Sequence, residues 1–404
     1  MKAWMLPAGA VATMLSTGAF AVERDGIPLG SGVSVYPAVG LEVTDNDNVY
    51  LQPEETQTSS TITKVTPALG VEADMGQTVL RAALFAEKGS YSEDENDDYT
   101  DTGIILGGDF ELNSRHQVAA EAQFRNEHDA RGAGTVEGAE ALGLRDPDRY
   151  DETIYDGSYT YGSSSALFNI TAGLNRYQKS YKNNFVNGTR DREHVRNRVS
   201  LETDVYISPS TDLLFDVSAT DIDYTNDSAI AESREGNLYR ALAGFSYELT
   251  GKLTSRAKVG VSERTFELSD VESDSSFTWE GSLTWNPRTY STITLFTAQA
   301  ANETPSASSN YVDATFSRVT WTHEFSTFFS LRAHASFAED IYYDGDSGEA
   351  DREDDIISYG LRGTYSPTTS LDVYASVEQS ERDSTEDGLD YDQQLITFGV
   401  AVGI

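Results

Sequence analysis

Close to the C-terminus Leu371, Val373, Ala375 and Val377 alternate with Asp372, Tyr374, Ser376 and Glu378. An acidic stretch from about Glu381 to Asp390 follows, and the last run then places Ile396, Phe398, Val400, Val402 and Ile404 on one face. Successive side chains of a strand point to opposite faces, so a period of two makes one face apolar and frees the other to be polar. The unit recurs: about nine times a long stretch rich in Asp, Glu, Asn and Ser separates two alternating runs, while the remaining connections are turns of a few residues. This asymmetry predicts an all-β chain, a transmembrane antiparallel up-and-down β-barrel with long extracellular loops and short periplasmic turns.

About eighteen strands follow from the pattern. They run near Val33 to Val43, Thr61 to Ala73, Val79 to Glu87, Gly103 to Leu112, Gln117 to Glu127, Gly157 to Gly162, Ala166 to Tyr177, Val195 to Ile207 and Leu213 to Ile222. The second half runs near Tyr239 to Leu249, Leu253 to Phe266, Phe277 to Trp285, Ser291 to Ala300, Thr315 to Phe325, Leu331 to Ile341, Ile357 to Tyr365 and Leu371 to Gln379, and the last strand ends the chain. The short connectors include Met75-Gly76-Gln77, Asn113-Ser114-Arg115, Ser163-Ser164-Ser165, Ser208-Pro209-Ser210, Thr250-Gly251-Lys252, Asn286-Pro287-Arg288, Ser326-Thr327 and Pro367-Thr368-Thr369. Tight hairpins use Gly, Asn, Pro and Ser because these supply positive or preset φ. An even strand number puts both termini on the periplasmic side. Trp279 with Trp285, Trp321 with Phe325, and Tyr247, Phe245, Tyr365 and Phe398 sit where interfacial aromatic girdles are expected.

The N-terminus changes the compartment. Lys2 precedes an apolar stretch from about Trp4 to Leu15, and Ala19-Phe20-Ala21 has the A-x-A form of a cleavage site. The stretch is short of the roughly 18 to 20 apolar residues that span a bilayer. Residues 1–21 therefore read as a signal peptide and residues 22–404 as one barrel domain.

Charge narrows the partners. The chain has 29 Lys+Arg against 66 Asp+Glu, a formal net charge of −37, which excludes a basic nucleic-acid footprint. With no cysteine it can form neither a disulfide nor a thiolate metal site. Mean hydropathy is −0.43, which is compatible with a barrel because only alternate residues meet lipid.

If Leu80, Ala82 and Leu84 face lipid, Arg81 faces the lumen. The same parity turns Arg125, Arg196, Arg198, Arg240, Arg256, Lys258, Arg318, Arg332 and Arg362 inward, together with Asp109, Glu121, Glu202, Asp204, Glu280, Asp372 and Glu378. Such a wall can select polar solutes, and Arg offers a planar fork to carboxylates. The pattern is equally what a barrel needs to pair its own interior charges. The acidic runs Glu93-Asp94-Glu95-Asn96-Asp97-Asp98 and Arg352-Glu353-Asp354-Asp355 read as solvated loops or weak cation sites, and neither has the ligand spacing of an EF-hand.

No HExxH or GxSxG context appears among the motifs, and His128 between Glu127 and Asp129 is the nearest approach to an acid/base cluster. The expectation is no enzyme, no catalytic residue, no metal ligand set and no cofactor.

The segment Gly32-Val33-Ser34-Val35-Tyr36-Pro37-Ala38-Val39-Gly40-Leu41, followed by Asp45-Asn46-Asp47-Asn48-Val49-Tyr50 and Val65-Thr66-Pro67-Ala68-Leu69-Gly70-Val71, resembles the outer-membrane β-barrel porin family associated with exopolysaccharide biosynthesis and export. Phe124-Arg125-Asn126-Glu127-His128-Asp129-Ala130-Arg131-Gly132 and Tyr155-Asp156-Gly157 through Tyr161-Gly162 resemble its early hairpins. A departure from many outer-membrane barrels is the terminal Ile404 in place of Phe. The resemblance implies a Gram-negative outer-membrane channel that provides or supports export of an exopolysaccharide. It also implies lipid and lipopolysaccharide around the chain, and a polysaccharide and periplasmic export proteins as partners. Two other roles suit the same residues: a general diffusion porin for small hydrophilic solutes, and a structural surface barrel with a plugged lumen.

Overall fold

The computed structural model describes residues 26–163, 166–268, 273–306, 309–343 and 350–404. The leader expected over residues 1–21, and Ser164 and Ser165 of one expected turn, lie outside the described residues.

A short first strand, β1 (Ile27–Gly30), precedes β2 (Val33–Asn46), β3 (Ser60–Asp74), β4 (Thr78–Tyr91), β5 (Tyr99–Asn113), β6 (His116–Asp129) and β7 (Asp148–Tyr161). There follow β8 (Phe168–Tyr181), β9 (His194–Ser208), β10 (Thr211–Tyr224), β11 (Gly236–Thr250), β12 (Leu253–Phe266) and β13 (Asp274–Arg288). The chain closes with β14 (Ser291–Asn302), β15 (Tyr311–Ser326), β16 (Phe329–Tyr343), β17 (Ala350–Thr368), β18 (Leu371–Ser384) and β19 (Tyr391–Gly403). From β2 onward each strand pairs antiparallel with the next, and β19 returns to β2 with Val400 opposite Leu41, so eighteen strands form a closed ring. Closure leaves no row of unpaired amides, each of which would cost several kcal/mol in lipid.

β1 was not legible in the sequence because Ile-Pro-Leu-Gly carries no alternation. It folds back on β2 through Ser31 and Gly32, both at positive φ (55° and 77°), as a two-residue hairpin requires. A side chain at Gly32 would also strike the Asp74 carbonyl, with its Cβ 2.0 Å from that oxygen.

The outer face carries the apolar stripe. Leu41, Val261 and Phe398 are 48, 62 and 63% exposed, and exposed apolar area of this extent over a whole ring is the mark of a membrane-facing surface. The wall's inner face at the turn end holds a small apolar cluster in which Ala83, Ile105 and Ala401 pack with Tyr36, Ala38, Ala68 and Phe85.

Strand ends toward the long loops differ from the pattern-based expectation. β7 begins at Asp148 rather than Gly157, β17 at Ala350 rather than Ile357, and β18 runs to Ser384 rather than Gln379. Beyond the lipid band both faces of a strand are polar, so hydrogen bonding continues where the alternation stops. For the same reason Arg352-Glu353-Asp354-Asp355, expected as a loop, is part of β17.

Candidate functional site: lumen wall and loop-bridged mouth

On the inner face, large rings lie flat against glycines. Tyr374 stands opposite Gly399 and Phe85 opposite Gly103. A Cβ at Gly399 would come 2.1 Å from the Tyr374 ring, and one at Gly103 2.2 Å from Phe85. Only a residue without a side chain lets these rings lie along the wall instead of standing into the lumen. Tyr374 is held there by its hydroxyl, which donates to Glu42 at 2.9 Å, and by the Arg362 guanidinium 3.7 Å above the ring.

The ten sequence-predicted cations take these positions. Arg81 is buried, its Nε donating to Glu72 at 3.1 Å and its Nη1 to Asp109. Arg125 donates to Gln123 and lies 3.5 and 3.8 Å from Glu127 and Glu152. Arg196 covers the Tyr177 ring at 4.4 Å and Arg318 that of Phe316 at 5.2 Å. Arg332 and Arg362 are direct cross-strand partners, a like-charge juxtaposition relieved by the seat of Arg362 on Tyr374. Arg198, Arg240, Arg256 and Lys258 gather in one basin on β9 to β13 with Glu202 and Glu280, where Lys258 bonds Asp216 and Glu280. Elsewhere Glu121 accepts from Gln123, Asp372 from Ser366, and Glu378 lies 3.9 Å from His334.

The sequence did not disclose the mouth. The connection between β6 and β7, residues 130–147, folds inward. Its Glu137 accepts from Arg352 of β17 at 2.6 and 3.1 Å and from Arg382 of β18 at 3.0 Å. β17 lies eight strands from β7 around the ring in one direction and ten in the other, so this loop bridges nearly opposite walls. Arg352 also donates from Nε to Asp354 at 2.8 Å, and Arg352 and Arg382 lie over Tyr342 and Tyr391 at 4.5 and 4.9 Å. Ala141 and Pro147 of the bridging loop are fully buried.

The root of that loop is pinned by Arg131. Its guanidinium reaches Asp94 and Asp97 at 2.5 Å, the Tyr50 hydroxyl at 2.8 Å and the Leu144 carbonyl at 2.9 Å. Backbone donation from Asn96, reinforced by Arg131 against a small burial effect, holds the Asp94 carboxyl below its usual range. The run Glu93 to Asp98, expected as a solvated acidic loop or a weak cation site, thus supplies the counter-charge for an internal arginine.

A second clasp joins the loops after β8, β10 and β14. Buried Arg234 donates to the carbonyls of Asp191, Ser306 and Ser309, the last at 2.9 Å. Glu303 accepts from the Tyr224 hydroxyl and lies 3.5 Å from Arg264. Burial opposes ionisation of Glu303, but Arg264, His194, the Tyr224 hydroxyl and Arg196 outweigh it and lower its pKa. The available sequence signal for both clasps was a lone arginine amid acids, at Arg131, Arg234, Arg352 and Arg382.

His128, the nearest approach to an acid/base cluster, bonds Asp101 at 3.0 Å and stacks on Tyr99 at 3.7 Å. Glu339, Glu353 and Asp355 place carboxylate oxygens within 4.8 Å of one another. Adjacent strands bring such acids together by register alone, so no metal site is assigned to them.

The model of the family described as "Putative beta-barrel porin 2" matches residues 21–403. No curated protein matches the chain. Among solved structures it is similar to the copper transporter OprC, with TM-score 0.51, 9% identity, 95% of this chain and 82% of that chain covered. OccAB2 of Acinetobacter baumannii has TM-score 0.50 and 9% identity, with 93% of this chain and 99% of that chain covered. The FrpB iron transporter from Neisseria meningitidis (F5-1 variant) has TM-score 0.50 and 10% identity over 90% of this chain, which spans 64% of the FrpB chain. At these identities the likeness establishes the fold, a closed barrel of the outer-membrane kind.

Proposed function

The chain belongs to the β-barrel porin family whose model it matches, and from that premise we propose that it carries an exopolysaccharide outward across a Gram-negative outer membrane. The observation that supports this most is the inner wall. Rings laid flat over Gly399 and Gly103 and cations that are mostly paired or stacked leave a polar surface that a hydrated chain can follow by exchanging weak contacts. The conduit is passive, with no chemistry of its own, and periplasmic synthesis and export partners supply direction. Lipid and lipopolysaccharide surround its apolar band.

One observation favours a diffusion porin for small solutes: the Glu137 bridge narrows the mouth from within. The deciding experiment is a clean deletion in the source bacterium with plasmid complementation, scoring secreted against cell-retained polysaccharide. Loss of secreted polymer, restored by the plasmid, is the expected result. Unchanged polymer together with reduced uptake of small hydrophilic solutes would overturn export in favour of the diffusion porin.

A further inference from the structure

The basin on the inner wall of β9 to β13 encloses about 230 Å³ and is far richer in cations than the chain as a whole. The sequence has more than twice as many acids as bases, yet four cations line this basin against Glu202, Asp216 and Glu280. Two of the four are committed. Lys258, 7% exposed at its side chain, bonds Asp216 and reaches Glu280 at 3.1 Å, and Arg256 lies 3.5 Å from Asp204.

Arg198 and Arg240 differ. Arg198 is exposed on the lumen side, and Arg240 donates its Nε to Thr278 at 3.3 Å while its Nη1 stops 3.8 Å from Glu280, too far for a hydrogen bond. They flank β10, where Arg198 stands opposite Thr220 and Arg240 opposite Ser218. Two strand spacings and a two-residue offset, about 12 Å in all, separate their backbones, and the inward residues between them, Ser218 and Thr220, are small. The basin's volume of about 230 Å³ is large enough for one pyranose ring.

We propose that this basin binds a carboxylated sugar unit, a hexuronate, with its carboxylate on Arg198 and Arg240. Its hydroxyls bond Ser218 and the acidic rim of Glu202 and Glu280. A planar fork suits a carboxylate, and with Asp204 counted the four cations face four acids, so the attraction comes from the two guanidinia that lack a short ion pair among the described residues rather than from a net charge. The inference rests on the export role and sharpens its substrate class to acidic glycans.

The test is calorimetric titration of the purified full-length barrel in detergent with galacturonate, digalacturonate and neutral galactobiose at low salt. Digalacturonate is expected to bind about tenfold tighter than galactobiose, a ratio that charge-assisted bidentate contacts supply. Arg198→Ala with Arg240→Ala should erase that preference, while Arg318→Ala on β15 keeps it. Heat-modifiable gel migration checks each variant's folding, and should the double variant fail it, Arg198→Gln and Arg240→Gln singly must each still reduce the preference. Equal binding of the acidic and neutral dimers, or a preference that survives loss of both arginines, would overturn the basin. Galacturonate matching the dimer would mark the free acid as the ligand, and a tighter dimer would mark the polymer-borne unit. A barrel that binds uronate while its deletion leaves secreted polymer unchanged would sink export alone. One that exports with no acid preference would sink the basin alone.

Discussion

Glu137, midway along the loop between β6 and β7, takes two hydrogen bonds from Arg352 on a strand almost across the barrel, at 2.6 and 3.1 Å. The arginine is 3% exposed and keeps Asp354 as a second partner, which it shares with Arg382, so the contact ties a loop to a wall whose strands are held by their own ladders.

Glu137→Ala is therefore expected to free the bridge without unfolding the barrel. Loss of a charged hydrogen-bond pair weakens loop closure by on the order of 2 kcal/mol. Single-channel recording in planar bilayers should show a larger mean conductance, and added protease should cut within residues 130–147. Conductance equal to that of the parent would mean the bridge does not limit the pore.

Arg131→Met should loosen two loops at once. Removing it leaves Asp97, with a side chain 6% exposed, without its guanidinium partner, and orphaning one member of a buried pair typically costs about 3 to 5 kcal/mol. Because the strands are held by their own ladders, heat-modifiable migration should persist while limited proteolysis becomes fast at residues 91–98 and 130–147. A variant cleaved no faster than the parent would show that Arg131 is not the pin.

Acidification should open the clasp around Glu303. Its pKa in the folded chain lies below the ordinary 4.5, so its ion pair with Arg264 stabilises the folded loops fully above that value. The contribution is lost as pH falls through the lower folded-state value. Protection of residues 303–306 and 229–235 from hydrogen exchange, taken relative to the intrinsic rate at each pH, should be high at neutral pH and fall only in the acid range. Glu303→Gln should show low protection at every pH, and a loss of protection between pH 6 and 8 in the parent would contradict this assignment.

Gly399→Val tests the flat rings. The new side chain meets the Tyr374 ring where even a Cβ would approach to 2.1 Å, pushing the ring off the wall and breaking its 2.9 Å bond to Glu42. Overpacking of this kind costs typically about 1 to 3 kcal/mol. The midpoint of heat-modifiable migration should fall and conductance should drop as the ring swings into the lumen. Tyr374→Ala in the same background should restore both, and failure to do so would place the strain elsewhere.

The barrel was written in local rules. Alternation from Leu371 to Val377, the connector Ser208-Pro209-Ser210 and the long acidic stretches between strand pairs each depend on neighbours in sequence, and together they set fold class, strand number and the inward parity of Arg81 or Lys258. Which charges meet is another matter. Lys258 reaches Asp216 two strands away because the closed sheet is concave, and Glu137 reaches Arg352 because a loop turns inward, neither of which leaves a periodic trace. A strand's faces are decided by a period of two residues, whereas a contact across the lumen is decided by ring closure and loop path, which couple residues more than two hundred positions apart. Only the tertiary structure could therefore turn an acidic run such as Glu93 to Asp98 into the seat of a buried arginine, and set the guanidinia of Arg198 and Arg240 on either side of β10.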